Sequence, residues 1–161
     1  MDRGREGAPR LNTDSSRDYE RIAVAVDQAR VSLSEGGIPI GAALFRGPDL
    51  LGRGYNRRVQ LRNPILHGEM DCLQNVGRLG TYRGTTIYST LMPCYMCAGT
   101  IVQFRVPRVV VGESFTFPGG RELMEAHGVE VVDLEMQECA QMLQGFIAAN
   151  PELWAEDIGE L

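Results

Sequence analysis

His67-Gly68-Glu69 and Pro93-Cys94-Tyr95-Met96-Cys97 are the segments whose residue types can do chemistry together, and 27 positions separate His67 from Cys94. One imidazole and two thiols form a ligand set suited to Zn²⁺. Cys94 and Cys97 stand three apart, so on a helix they share a face and can share one tetrahedral ion. Pro93 is expected in the first turn of that helix, where the positive end of the dipole favours thiolates over thiols. Three protein ligands leave a fourth position open for water, the count of a catalytic zinc. Two thiolates cancel the charge of the ion and weaken its effect on that water, so a proton acceptor is needed nearby. Glu69 is the candidate. Positions two apart on a helix point to nearly opposite sides, so His67 and Glu69 converge only if His67 stands at the very start of its helix, which Pro64 upstream permits.

Each piece alone has a plainer reading. A Cys-x-x-Cys pair also serves as a redox couple or as half of a structural zinc site. A four-thiolate site would need a second pair, and Cys72 and Cys139 lie far apart in the chain, so both are read as buried core cysteines. His127, next to Gly128, is read as a helix-end residue. A lone His-x-Glu is common by chance, and it is the combination with Pro-Cys-x-x-Cys that is specific.

The elements that must position these residues can be traced along the chain. Residues 1–14 show no apolar period and are read as a loose arm, and residues 15–161 as a single domain. From about Ser15, Tyr19, Ile22, Ala23, Val26, Ala29 and Leu33 recur at helical spacing, with Gly36-Gly37 as the stop. Ile38 to Phe45 reads as a buried strand and Leu50 to Asn56 as its hairpin partner. Leu66 to Val76 is expected to be helical, Thr86 to Leu91 a strand, Cys94 to Phe104 a helix, and Val106 to Gly112 a strand buried on both faces. Leu123 to His127 is a short helical piece and Val129 to Val132 a short strand. Glu135 to Ala149 is a helix with Met136, Ala140, Leu143 and Ile147 on its apolar side, and Asn150-Pro151 opens a last acidic helix. Strands alternating with helices make an α/β domain with a central sheet between helical layers.

Composition narrows the function. The formal net charge is −5, which offers no positive field for a polyanion, so duplex nucleic acid is not an expected partner. All 16 basic residues are arginine, which excludes a lysine Schiff base or a P-loop lysine within this sequence. No stretch reaches the roughly 18 apolar residues of a membrane span. Four cysteines are too sparse for a disulfide scaffold and no secretory leader is read, so a reducing, cytoplasmic compartment is expected.

The His-x-Glu and Pro-Cys-x-x-Cys pair is the signature of zinc nucleobase deaminases, in which the glutamate is the general acid and base and not a ligand. The chain resembles the cytidine-deaminase-like superfamily, and within it the fungal type of free-base cytosine deaminase. The resemblance lies in Glu35-Gly36-Gly37-Ile38-Pro39-Ile40-Gly41, Gly52-Arg53-Gly54-Tyr55-Asn56, His67-Gly68-Glu69, Gly77-Arg78-Leu79, Val110-Val111-Gly112-Glu113 and the tail from Trp154 to Glu160. It implies a three-layer α-β-α sandwich around a mixed five-stranded sheet, a zinc ion held by His67, Cys94 and Cys97, a small nucleobase or related heterocycle as substrate, and a homodimer. It further implies that Asn56 meets the pyrimidine carbonyl and ring nitrogen and that Asp157 meets the amino end. Phe117, Trp154, Ile40, Leu91 and Ile158 would enclose the ring, with Gly68 and Met92 beside it. An amide donates and accepts at once and aromatic walls stack on a flat heterocycle, although Trp154 and Phe117 also fit ordinary core packing. The C-terminal helix, carrying two pocket residues, would act as a lid that governs product release.

Met92 and Tyr95 depart from the fungal pattern, which has a small polar residue and an aspartate there. A bulky thioether beside the ring would reshape the pocket, so another amino- or imino-heterocycle such as creatinine is an alternative substrate. Two further rivals are a tRNA adenosine deaminase, which the acidic C-terminal helix disfavours, and a non-enzymatic zinc-stabilised interaction domain, which Glu69 disfavours.

Overall fold

The structure is a computed structural model that describes residues 13–161. Helix α1 (Thr13–Ser34) precedes the hairpin β1 (Gly41–Arg46) and β2 (Asp49–Tyr55). The one-turn α2 (Arg58–Leu61), α3 (Gly68–Val76), β3 (Thr85–Leu91), α4 (Tyr95–Gln103) and β4 (Arg108–Glu113) follow. Then come α5 (Arg121–Ala126), β5 (Glu130–Asp133), α6 (Gln137–Ala149) and α7 (Pro151–Asp157). The expected arm lies almost wholly outside the described residues, and α1 begins two residues before the expected start.

The five strands form one sheet in the order β2-β1-β3-β4-β5. β1 pairs antiparallel with β2 and β3, while β3, β4 and β5 run parallel, so the sheet is mixed as expected. Side chains alternate across a strand, and this period of two sorts the core into layers. Ala42, Leu44, Ile87, Val109 and Val111 point to one face, where Cys72 of α3, Ala98 and Ile101 of α4 and Met124 of α5 cover them. Ala43, Phe45, Tyr88 and Val110 point to the other, against Ile22 and Ala25 of α1. Helices therefore cover both faces of the sheet. A third cluster, with Ile38, Ile40 and Leu91 against Leu143, Phe146 and Trp154, closes the end of the sheet where the site lies.

Close approach, not turn geometry, explains two strand glycines. A Cβ on Gly41 would lie 2.0 Å from the Ala25 carbonyl oxygen, and one on Gly54 2.3 Å from the Cys72 amide nitrogen. Both let a helix sit directly on the hairpin.

Three local expectations shift. Ile38 to Ile40 is buried but unladdered: Pro39 has no N–H to give, and the Ile40 N–H turns back to the Ile38 carbonyl. Pro93 lies one residue before the cap of α4, because Cys94 itself is the N-cap. The buried stripe of α6 is Cys139, Leu143 and Phe146, with Met136 and Ile147 at its margins, so the apolar side is rotated from the expected one.

Candidate active site

His67 caps α3 in extended backbone conformation, φ −68° and ψ 167°, and Glu69 stands in the first turn. That placement resolves the geometric difficulty of residues two apart, since a cap residue is not bound to the helical angle. Acidic Glu69 and Asp71 occupy the helix N-terminus, where the dipole favours negative charge. Asp71 docks α3 onto the hairpin by accepting the Tyr55 N–H at 3.0 Å. Gly68 lies against the Ile40 carbonyl, where a Cβ would come within 3.1 Å of its oxygen.

Cys94 caps α4 and brings its sulfur 3.5 Å from His67 Nδ1. One ligand atom from each of His67, Cys94 and Cys97 can be chosen so that all lie within 4.8 Å of one another. Ligands at zinc distances of 2.0 to 2.3 Å in a tetrahedron lie roughly 3.5 to 3.8 Å apart, so the donor set and its spacing fit that ion. Hydrogen bonding from Cys97, reinforced by His67 and opposed by burial, drives Cys94 down to about 4, toward thiolate. Cys97 moves the other way because it donates to Cys94 and is buried. Burial pulls His67 down, but the Cys94 contact and the charges of Asp157 and Glu69 outweigh it and raise the imidazole to about 9.

Glu69 is buried, and Ser89 Oγ lies 2.7 Å from its Oε1 and 2.8 Å from the Leu91 carbonyl. Burial first and the Cys94 charge second push the carboxyl up, against the pull of His67 and Ser89.

Ile40, Leu91, Met92 and Phe117 line the cavity beside His67, Glu69 and Cys94, and Trp154, Asp157 and Ile158 close it from α7 and its end. Phe117 and Trp154 meet edge to face with centroids 6.2 Å apart. The enclosed space is about 10 Å³, room for roughly one water. A wider cleft of about 480 Å³ opens beside α6, with Glu113, Phe115 and Gln141 in its wall, but it contains no imidazole or thiol. Chemistry, not size, locates the site.

Asn56 is fully buried, and its Nδ2 donates to Asp157 Oδ1 at 3.2 Å. Asp157 Oδ1 also faces His67 Nε2 at 3.4 Å, the side opposite the nitrogen that meets Cys94. A carboxylate on the outer nitrogen fixes the orientation of an imidazole ligand. Burial raises the Asp157 carboxyl, against the pull of His67, Asn56 and Arg58. Met92 is both cavity wall and core, packed with Ala98 and Ile101, whereas Tyr95 is 73% exposed and turns away from the site. Cys72 and Cys139 are buried in the core and His127 caps the end of α5, as read from sequence.

Two residues of the site were not singled out from sequence. Ser89 is a polar residue on the same strand face as Ile87 and Leu91, and that break in an apolar stripe is a signal in itself. Arg58, two positions after Asn56, contacts Asp157 across most of the chain length and leaves no local signal.

Residues 15–113 match the cytidine and deoxycytidylate deaminase zinc-binding region. The chain is 49% identical to the cytosine deaminase of Candida albicans over 146 residues, covering 89% of this chain and 97% of that one. It is 36% identical to the tRNA-specific adenosine deaminase of Bacillus subtilis over 135 residues, 76% of this chain and 83% of the other. A solved structure from work on tRNA:A34 deaminases superposes with a TM-score of 0.69 at 26% identity, covering 78% of this chain and 99% of that one.

Proposed function

The chain belongs to the cytidine and deoxycytidylate deaminase zinc-binding family, and from that premise we propose that it hydrolyses the amino group of free cytosine, giving uracil and ammonia. The observation that carries this reading is the cavity itself: His67, Cys94 and Glu69 face a space closed by Phe117, Trp154 and Ile158. A flat, unsubstituted heterocycle suits walls of that kind. α7 must open for either kind of substrate, but its Glu152 and Glu156 would meet the phosphates of an RNA stem-loop with like charge.

His67, Cys94 and Cys97 would hold zinc, which would supply the acidity that makes a water nucleophilic. Glu69 takes up one proton of the attacking water and delivers it to the ring nitrogen, then carries the second, from the hydroxyl formed at the ring carbon, to the departing amine. Ser89 Oγ, donating to Glu69 Oε1, leaves the second carboxylate oxygen for the proton in transit. Asp157 meets the amino end, with the Asn56 hydrogen bond holding its orientation. The closed wall keeps bulk water from the reacting atoms, so α7 must move for cytosine to enter and uracil to leave.

The same reading carries a homodimer and a cytoplasmic location. Exposed Tyr95 and Phe115 supply apolar surface for a second copy, and no helix among the described residues is long and apolar enough to cross a membrane. Light scattering that shows only monomer would exclude the dimer. For the activity, ammonia release is measured from cytosine, cytidine, creatinine and a tRNA stem-loop. Cytosine is expected to react fastest, and reaction of the stem-loop alone would overturn the reading.

A further inference from the structure

Helix α7 closes the cavity, yet its own composition works against its holding that position. Its seven residues are too few for a helix to stand alone, and its last turn places Glu156 and Asp157 at the negative end of the dipole with no basic residue there. The compensating cation comes from α2. Arg58 is only 10% exposed at its side chain, with Nε 3.6 Å from Asp157 Oδ1 and Nη2 3.9 Å from Glu156 Oε1. Its Nε also donates to the Pro64 carbonyl at 3.0 Å, which anchors the guanidinium from the other side.

The backbone of the same residue acts on Asn56. The Arg58 N–H donates to Asn56 Oδ1 at 3.0 Å, and this turns the amide so that Nδ2 faces Asp157. Asn56 is otherwise fixed by its own N–H to the Ile40 carbonyl and by Ser32 Oγ on its carbonyl. A groove of about 350 Å³ lined by Arg58, Val59, Arg62, Leu153 and Glu156 opens at this contact, although Val59 and Leu153 also pack against the apolar cluster that holds Trp154. A polar tie therefore adds to the apolar packing of α7 at a solvent-lined seam.

We propose that Arg58 is a positioning residue, a clasp that holds α7 closed and sets Asp157 for the substrate, both directly and through Asn56. The proposal rests on the cytosine deaminase reading and adds a residue that touches neither metal nor base. It follows that α7 opens by parting Arg58 from Asp157 and Glu156, and that the clasp acts on substrate affinity more than on the chemical step.

Trp154 is the only tryptophan of the chain and sits on α7, so its fluorescence reports the lid directly. The experiment compares wild type, Arg58→Gln and Arg58→Lys for acrylamide quenching of Trp154, zinc content, and KM and kcat for cytosine. Arg58→Gln is expected to be quenched several times more strongly, to keep its zinc, and to show KM raised about tenfold with a smaller fall in kcat, since one partner of a desolvated charge pair is lost. Arg58→Lys, which restores the charge without the fork, is expected to recover most of the quenching and part of KM. Wild-type quenching and KM in Arg58→Gln would overturn the clasp, as would loss of zinc and fold in both variants. If wild type leaves cytosine unchanged, the substrate reading fails, while the quenching comparison still decides the clasp.

Discussion

Glu69→Gln separates the proton-transfer role from metal binding. The amide keeps the size and shape of the carboxylate beside Ser89 but cannot take up a proton at that position. The three donor residues His67, Cys94 and Cys97 are untouched, so zinc should remain at about one per chain by elemental analysis. General acid and base catalysis contributes about 10² to 10⁴ in rate. Burial of Glu69 places this case at the upper end, since bulk solvent does not reach its carboxyl to stand in for it. A loss near 10⁴ in kcat corresponds to about 5.5 kcal/mol of activation free energy. Ammonia released from cytosine under saturating substrate measures it. Loss of zinc from the variant would mean that Glu69 is a ligand, and kcat within tenfold of wild type would mean that the proton travels by another group.

Three other perturbations test the frame around the site. Asp18 accepts two hydrogen bonds from Arg108 and one from Tyr88; burial raises its carboxyl, but those bonds and the charges of Arg108 and Arg21 prevail and hold it below the usual carboxylate range. Asp18→Asn should cost about 3 to 5 kcal/mol, a fall in Tm of roughly 6 to 20 °C for a domain of this size. Because the folded pKa lies below the unfolded one, the stabilisation is complete above about pH 5 and drains away as the pH falls below about 4. Wild type should therefore lose Tm faster than Asp18→Asn over that interval, and parallel curves by circular dichroism would refute the assignment. Gly54→Ala forces a Cβ to 2.3 Å from the Cys72 nitrogen and should cost about 1 to 3 kcal/mol while shifting α3 and lowering activity; Gly99→Ala, with open space at its Cβ, should be neutral or stabilising in the same melts. Met92→Ser removes a side chain shared by core and cavity, so it should cost about 2 to 5 kcal/mol and raise turnover of cytosine relative to the other heterocycles; an unchanged ratio would leave Met92 a packing residue only.

Much of the site was legible in the chain because its parts are local. Cys94 and Cys97 lie within one helical turn, and the requirement that His67 begin its helix follows from the angle between successive side chains, which its place as the cap of α3 meets. Strand and helix periods marked the elements well enough to assign an α/β fold. The errors fell where a backbone group had a non-local option or a neighbour lay outside the window. Ile38 to Ile40 has the composition of a strand, but Pro39 and a turned-back Ile40 N–H keep it off the ladder.

Residue types and short spacings thus marked the donor set for zinc and the carboxylate proposed to move the proton. Only the tertiary structure decided that Met92 packs in the core as well as at the cavity and Tyr95 faces out, that Asn56 hydrogen-bonds Asp157, and that Ser89 and Arg58 lie against Glu69 and Asp157. The reason is physical: ligand identity is a property of individual side chains, whereas burial and ion pairing depend on which distant segments the fold presses together. Arg58 and Asp157 face each other because α2 and α7 converge at one end of the sheet, and no local pattern in either segment encodes that encounter.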